Sequence, residues 1–117
     1  MTGNFFKGKK VLVTGHTGFK GTWLSLMLEN LGAIVYGYAL EGSEATPFFA
    51  EASPKIEKGC MGLIQDRKKV YDFVTVAKPE IGIHLASHST LNKGAEITDY
   101  IFDSNVTGVV NLLEAVR

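Results

Sequence analysis

The chain has 117 residues, of which 45% are hydrophobic and 21% charged, enough apolar material for one buried core. Twelve basic residues balance twelve acidic ones, so the net charge of zero argues against a nucleic acid or an anionic membrane as the partner. Cys60 is the only cysteine and no run approaches the roughly 18 apolar residues of a membrane span, so we expect a cytoplasmic protein without disulfide, signal peptide or membrane anchor.

The first predicted strand is Val11–Val13, a short aliphatic run that ends at a glycine-rich loop. A helix follows, and its predicted apolar face comprises Leu24, Met27, Leu28 and Leu31. Gly32 stands where a left-handed residue would cap this helix. Trp23 is expected to pack within the helix face that covers the sheet. Ile34–Tyr38 then predicts a second buried strand.

Two further strands follow a loop over residues 41–54 that has room for one helical turn. Cys60–Ile64 predicts the third strand, and Ile81–Leu85 predicts the fourth. The helix between them is capped by Asp66 and ends before Pro79. Its predicted buried face comprises Val70, Phe73, Val74 and Ala77.

The last predicted helix spans residues 97–116. Its predicted inner face comprises Ile101, Asn105, Gly108, Leu112 and Val116. A polar Asn105 on an inner face needs a hydrogen-bond partner, for which we expect the fourth strand. Gly108 costs about 1 kcal/mol in a helix relative to alanine, so this position also needs a packing reason.

Strands that alternate with helices predict an α/β fold, specifically a Rossmann-like doubly wound parallel sheet with right-handed crossovers and strand order 3-2-1-4. The predicted sheet is partial, because the fourth strand would lie at an edge where a longer protein adds strands five and six. An uncovered apolar edge strand is an aggregation hazard. We therefore expect residues 1–117 to be the N-terminal part of a larger protein of this fold.

The loop between the first strand and the first helix, Thr14–Gly21, has glycines at positions 15, 18 and 21. A bound pyrophosphate needs close backbone approach and free amide donors, and glycines beside a helix N-terminus provide both. Between a strand and a helix this pattern indicates dinucleotide binding, whereas a nucleoside-triphosphate loop would require Gly-Lys-Ser/Thr where this chain has Lys20-Gly21-Thr22. The predicted cofactor-binding residues of the loop are Gly15, Thr17, Gly18, Phe19, Lys20 and Gly21.

NAD is the expected cofactor, with NADP as the alternative. A ribose-binding carboxylate is expected about 20 residues after the glycines, at the end of the second strand. Ala39 stands there and Glu41 follows, and a solvated loop charge explains Glu41 as well as a ribose contact does. No nearby arginine favours a 2′-phosphate. His16 is expected to be exposed and His84 to be a satisfied structural histidine, so no metal site is proposed.

The run TGHTGFKGTWLSL at Thr14–Leu26 resembles the extended short-chain dehydrogenase/reductase family and is most similar to its CDP-glucose 4,6-dehydratases. Lys78–Glu80 before the fourth strand, and Asn105 with Gly108 in the last helix, resemble the first third of that family. The resemblance implies bound NAD, a nucleotide-diphosphate sugar as substrate, and a 4-keto-6-deoxy product for deoxysugar and O-antigen lipopolysaccharide biosynthesis. It also implies cofactor contacts at Leu63, Ile64, Leu85, Ala86 and Ser87.

Several positions depart from the family pattern where the cofactor and the sugar would meet. Leu63 replaces an aspartate that in the family faces the adenine amino group. Ala86–His88 replaces Ala-Ala-Gln, Asn92 replaces an arginine, and Gly94-Ala95 replaces Ser-Tyr. These changes indicate either a different sugar or a copy that has lost activity.

The chain lacks the Tyr-x-x-x-Lys pair that serves the family as its catalytic base, since none of its four tyrosines precedes a lysine at that spacing. The principal hypothesis is therefore the NAD-binding segment, residues 1–117, of a nucleotide-sugar 4,6-dehydratase, inactive on its own. The alternatives are another extended short-chain epimerase or dehydratase, and a non-catalytic module that binds a nucleotide or a partner chain. A further alternative is a fragment that folds only as a homodimer, through its edge strand and last helix.

Overall fold

A parallel sheet of four strands is the framework of the part of the chain that the computed structural model describes, residues 4–40, 46–87 and 98–117. The strands are β1 Lys10–Thr14, β2 Ile34–Ala39, β3 Lys58–Met61 and β4 Ile81–His84. The helices are α1 Phe19–Asn30, α2 Pro47–Ala52, α3 Arg67–Ala77, α4 Thr98–Phe102 and α5 Gly108–Val116, with a π-helical segment, Asp103–Thr107, between the last two. None of these described helices is long and apolar enough to cross a membrane.

The order of the strands confirms the predicted Rossmann-like fold. Hydrogen-bonded neighbours run β3-β2-β1-β4, and all three pairings are parallel. Leu12 at the centre of β1 lies opposite Tyr36 of β2 on one side and Gly82 of β4 on the other. Because the strands are parallel, their carboxyl ends meet at one edge of the sheet, which is where such folds bind ligands.

Both faces of the sheet are covered, because successive residues of β1 point to opposite sides. The cluster on one face comprises Val11, Val13 and Val35 of the sheet with Leu28 of α1. The cluster on the other face comprises Leu12, Tyr38, Ile64, Val70, Phe73, Val74 and Leu112. The predicted buried face of α3 is confirmed, and Asp66 caps this helix by accepting a hydrogen bond from the amide of Lys69 at 3.1 Å.

The buried face of α1 differs from the prediction. Its buried residues are Gly21, Thr22, Ser25 and Leu28. Met27, predicted to be inward, is 58% exposed. At its start α1 lies so close to the turn after β1 that a Cβ at Gly21 would overlap the carbonyl of Gly15, and apolar periodicity does not record such a close approach. Thr22 and Ser25 satisfy their hydroxyls by donating to carbonyls one turn earlier, at Gly18 and Gly21, each at 2.7 Å.

Trp23 packs against α2 instead of the sheet, so its predicted position was wrong. The side chain is 51% exposed, and its ring centre lies 5.3 Å from that of Phe48. The helical turn predicted within residues 41–54 is α2, which is capped by the hydroxyl of Thr46 and has Pro47 as its first residue. Trp23 therefore joins the two helices at the surface.

Two element boundaries differ from the prediction at the carboxyl edge. β3 is Lys58–Met61 instead of Cys60–Ile64, and Ile64 lies buried in the turn that follows. β4 ends at His84, one residue earlier than predicted. Because the chain leaves the sheet sooner, the residues after both strands are free to line a cavity there.

The last helix is interrupted, which changes the residues that it buries. The π-helical segment and α5 bury Ser104, Gly108, Asn111 and Leu112, whereas Val116 is 50% exposed. A π-helical turn contains an extra residue, so it rotates the inner face away from the regular helical spacing that the prediction used. Asn111 on this inner face makes two buried hydrogen bonds: its amide donates to the carbonyls of Ile64 at 3.1 Å and Gln65 at 2.9 Å, both after β3.

Gly108 allows α5 to lie directly against the turn after β3. A Cβ at this position would stand 2.6 Å from Cγ2 of Ile64. Contacts below 3.0 Å require something to move, and Ile64 is itself buried in the core. The close approach is therefore the packing reason for a glycine inside the last helix.

Gly108→Ala should destabilise the protein although alanine is the better helix former. The propensity gain is about 1 kcal/mol and overpacking a core costs about 1–3 kcal/mol. We expect the free energy of unfolding, measured by urea denaturation, to fall by about 1 kcal/mol. Gly82→Ala is the matched control, because a Cβ there meets nothing within 4 Å. An unchanged or higher stability for Gly108→Ala would contradict the proposed contact.

Candidate dinucleotide-binding site

The loop between β1 and α1 turns at Gly15, whose φ of +75° lies in the left-handed region that favours glycine. The amide of Gly15 donates to the carbonyl of Tyr38 at 2.8 Å, and the amide of Gly18 donates back to the carbonyl of Gly15 at 3.2 Å. From the other side, the hydroxyl of Thr46 donates to the carbonyl of Thr17 at 3.1 Å. The loop is therefore held in place by both β2 and the start of α2.

The three glycines of the loop have different structural roles. A Cβ at Gly21 would overlap the carbonyl of Gly15, so α1 can start directly over the turn only with glycine at this position. A Cβ at Gly15 would lie 3.0 Å from the backbone of Leu85 and Ala86, beside the chain that follows β4. Gly18 differs, because a Cβ there would meet only the carbonyl of Gly15, at an ordinary 3.5 Å. Packing among the described residues thus requires glycine at 15 and 21 and leaves the outer side of Gly18 clear.

The first turn of α1 provides hydrogen-bond donors for an anion. The regular helical bonds begin with the amide of Thr22, which donates to the carbonyl of Gly18 at 2.8 Å. The preceding amides, those of residues 19–21, have no acceptor within the helix. Gly18 has no side chain to cap them, and the first turn contains no acidic residue. With the roughly half positive charge of a helix N-terminus, this end of α1 is suited to a phosphate.

Two cavities that share the glycine loop open at the carboxyl edge of the sheet. The smaller cavity, of about 200 Å³, touches the chain beyond every strand and includes the predicted contacts Gly15, Thr17, Gly18, Ile64, Leu85, Ala86 and Ser87. The larger cavity, of about 480 Å³, lies over the start of α1 and includes the predicted contacts Phe19, Lys20 and Gly21. Folding therefore brings these predicted cofactor contacts together.

Leu63 is the predicted cofactor contact that lines neither cavity, and its side chain is 44% exposed. Its carbonyl instead accepts a hydrogen bond from the hydroxyl of Tyr38 at 2.7 Å. Burial raises the pKa of Tyr38, so the phenol keeps the proton that it donates. Tyr38, Gly62 and Gln65 line the smaller cavity and were not predicted. Their positions at or just beyond the ends of β2 and β3 were the sequence feature that could have identified them as cavity residues.

Thr14 joins the ends of β1 and β4. Its hydroxyl accepts hydrogen bonds from the amides of Leu85 at 3.0 Å and Ala86 at 3.1 Å, and lies 2.7 Å from Nδ1 of His84. Because the hydroxyl oxygen already accepts from these two amides, its single proton is left to donate to an unprotonated Nδ1 of His84. Burial lowers the pKa of His84, which favours the same neutral ring. The prediction of a satisfied structural histidine is confirmed, and Thr14 positions the two residues that reach the cavities.

His16 is buried, so its predicted exposure was wrong. The side chain is 1% exposed and packs edge-on against Phe49, with ring centres 5.5 Å apart. It also lies on Gly37 of β2, where a Cβ would overlap the ring. Among the described residues, none forms a hydrogen bond with Nδ1. Burial lowers the pKa of His16 to about 4, opposed in part by the backbone of Tyr38.

The burial of His16 should make stability depend on pH between about 6.5 and 4. In this window the unfolded chain binds a proton at His16, whose ordinary pKa is 6.5, while the folded chain does not. The free energy of unfolding should therefore fall as the pH falls, by roughly 3 kcal/mol from this residue.

His16→Asn removes that titration and should flatten the pH dependence, measured by urea denaturation across the same window. The other titrating groups, including His84 with its lowered pKa, remain in both proteins and serve as the internal control. Equal losses of stability in the variant and the wild type would show that His16 is not a neutral buried ring.

The remaining predicted positions are divided between described and undescribed parts of the chain. Ala39, at the position expected for the ribose-binding carboxylate, lines the smaller cavity with an apolar side chain. Glu41, His88, Asn92 and Gly94-Ala95 lie outside the described residues. Asn105, on the π-helical segment, lines the larger cavity.

A glycine loop that leads into a helix N-terminus, at the carboxyl edge of a parallel sheet ordered 3-2-1-4, defines a Rossmann dinucleotide-binding site. The model of the NAD dependent epimerase/dehydratase family matches residues 11–117, and the chain belongs to this family.

Individual relatives agree with that assignment. The chain is 41% identical to the CDP-glucose 4,6-dehydratase of Salmonella typhimurium over 115 residues, which are 97% of this chain and 32% of that protein. An epimerase from Methanothermobacter thermautotrophicus superimposes with a TM-score of 0.83 at 25% identity, over 97% of this chain and 33% of that one. A UDP-glucose 4-epimerase from Thermus thermophilus in complex with NAD superimposes with a TM-score of 0.79 at 26% identity, over 91% of this chain and 33% of that one. The chain thus spans about a third of the length of these relatives.

Proposed function

We propose that the chain forms the NAD-binding part of a nucleotide-sugar 4,6-dehydratase similar to CDP-glucose 4,6-dehydratase, acting in deoxysugar and O-antigen biosynthesis. The observation that carries the NAD-binding part of this proposal is the open space beside Gly18. No packing among the described residues explains a glycine there, since a Cβ would meet only one carbonyl at 3.5 Å. A ligand that lies against the backbone of this loop does explain it.

The chemistry of both cavities fits a dinucleotide. The amides at the start of α1 would hold the pyrophosphate, and Lys20, exposed in that turn, adds a positive charge. The adenosine half would occupy the smaller cavity, because it extends toward the ends of β2 and β3. The nicotinamide and the sugar would meet at the larger cavity, which Phe19, Ser87 and Asn105 line.

NAD, when bound, supplies the hydride acceptor and donor for oxidation and reduction of the sugar. The residues of this chain bind and orient that cofactor: the loop fixes the diphosphate, and Thr14 holds the backbone of Leu85 and Ala86 beside it. None of the tyrosines precedes a lysine by four positions, so we assign the acid and base steps to residues other than these 117. The chain alone should bind NAD without dehydratase turnover.

Two comparisons favour a dehydratase over an epimerase. Identity to the Salmonella dehydratase is 41%, against 26% to the Thermus epimerase. The preference for NAD over NADP, the identity of the sugar and the homodimer stay predictions. Exposed apolar residues of the last helical segments, including Val106, Val110 and Leu113, are the surface at which the predicted homodimer would form.

Gly18→Ala should weaken NAD binding without destabilising the fold. The protein has room for the added methyl group, so the free energy of unfolding should stay close to that of the wild type. The methyl group would stand where the diphosphate lies, so we expect NAD affinity, measured by isothermal titration calorimetry, to fall about tenfold or more, equivalent to about 1.4 kcal/mol. Gly82→Ala adds a methyl group on β4, away from both cavities, and should bind like the wild type.

The same titrations contain the outcomes that would oppose the proposal. A folded wild-type chain without detectable affinity for NAD or NADP would contradict it and would favour the non-catalytic module. Wild-type binding that Gly18→Ala leaves unchanged would place the cofactor elsewhere. Dehydratase turnover by the 117-residue chain would refute the assignment of acid and base steps to other residues.

A further inference from the structure

The imidazole of His16 fills a strip of the sheet that has no side chains of its own. Gly37 of β2 and Gly59 of β3 are register partners, so two adjacent strands both lack a side chain at this point. A Cβ at Gly37 would overlap the ring of His16, and a Cβ at Gly59 would lie 3.6 Å from its Nε2. The ring therefore occupies the space that a side chain of β2 would take.

Phe49 of α2 covers the ring from another side, with ring centres 5.5 Å apart. Gly37, Gly59 and Phe49 together form the seat of the ring. Nδ1 of the seated ring forms no hydrogen bond with any residue that the structure describes, and burial lowers the pKa of His16, so the ring is neutral. A buried nitrogen without a partner costs stability. The fold therefore uses the size and shape of this ring and gains nothing from its Nδ1.

The first turn of α1 lies directly on the backbone of His16. A Cβ at Gly21 would stand 2.7 Å from Cα of His16, and the hydroxyl of Thr22 lies 3.4 Å from its carbonyl oxygen. The amides of residues 19–21, which have no acceptor within the helix, belong to this turn. Close-packed segments transmit displacements to one another. The depth at which the ring is seated therefore sets the position of the amides that would bind a diphosphate.

Hydrogen bonds hold the loop on either side of His16. The amide of Gly15 donates to the carbonyl of Tyr38 at 2.8 Å, and the carbonyl of Thr17 accepts from both the amide and the hydroxyl of Thr46, each at 3.1 Å. Between these two attachments, the ring of His16 determines how closely the loop approaches the sheet.

We propose that His16 is a positioning residue of the diphosphate site, whose seated ring sets the place of the amides at the start of α1 and thereby the affinity for the dinucleotide. The proposal rests on the proposed function, because it requires a dinucleotide at this loop. His16 lines neither cavity, so it acts through the loop and not by contact with the ligand. A neutral ring of similar size in the same seat should serve equally well, whereas an empty or an obstructed seat should not.

Three substitutions test the seat by isothermal titration calorimetry with NAD. His16→Ala empties the seat and should weaken binding about tenfold, because small misplacements of binding groups are costly. Gly37→Ala obstructs the seat from β2, at a position that lines neither cavity, and should weaken binding by a similar factor. His16→Phe refills the seat with an apolar ring and should keep the affinity within about threefold of the wild type.

Gly59→Ala is the matched control. Its Cβ would also face the ring of His16, but at an ordinary 3.6 Å, so the seat stays open and NAD should bind as it does to the wild type. The stoichiometry of each titration reports the fraction of the protein that is folded. A loss of affinity at full stoichiometry is thereby distinguished from a loss of the fold.

The comparison of His16→Ala with His16→Phe decides the matter. Weaker binding by the alanine variant at full stoichiometry, with recovery in the phenylalanine variant, would support the proposal. Binding by His16→Ala as tight as by the wild type would overturn it and leave the proposed function standing, as would an equal loss in both variants. Where His16→Ala does not fold, His16→Phe decides alone: the affinity of the wild type supports the seat, and a tenfold loss overturns it. A folded wild type that does not bind NAD would overturn the proposed function and this proposal with it.

Discussion

The distance between the start of α1 and the turn at the end of β1 is the constraint on which the site depends. A side chain at Gly21 would overlap the carbonyl of Gly15, so the helix could not begin where it does. With both glycines present, the positive end of the helix reaches the carboxyl edge of the sheet. The amides of the first turn then lie beside the larger cavity, and this makes the edge suitable for a diphosphate.

The loop that precedes those amides contains a buried histidine that packs into the core. His16 lies on Gly37 and against Phe49, which ties the loop to both β2 and α2. Thr14 ties the same loop to the chain after β4 through two backbone amides. A binding loop with this much packing is part of the core, so its shape and the stability of the fold are linked.

The opposite wall of the site depends on a second close approach. Gly108 brings α5 onto Ile64, and Asn111 holds the turn after β3 through two carbonyls. These contacts join the last helix to the turn after β3, 44 residues or more apart in sequence. The π-helical segment before them places Ser104 and Asn105 at the cavities.

The amino-acid pattern alone predicts the fold class, the order of the strands, the buried face of α3 and the glycine loop. The fold class and the strand order follow from the alternation of strands with helices, and the other two features follow from short-range spacing, which periodicity and turn chemistry record. The folded chain was needed to show that His16 is buried, that Trp23 packs on α2, and that Asn111 bonds the turn after β3. The reason is physical: each depends on how closely two segments distant in sequence approach each other, and local patterns contain no measure of that distance.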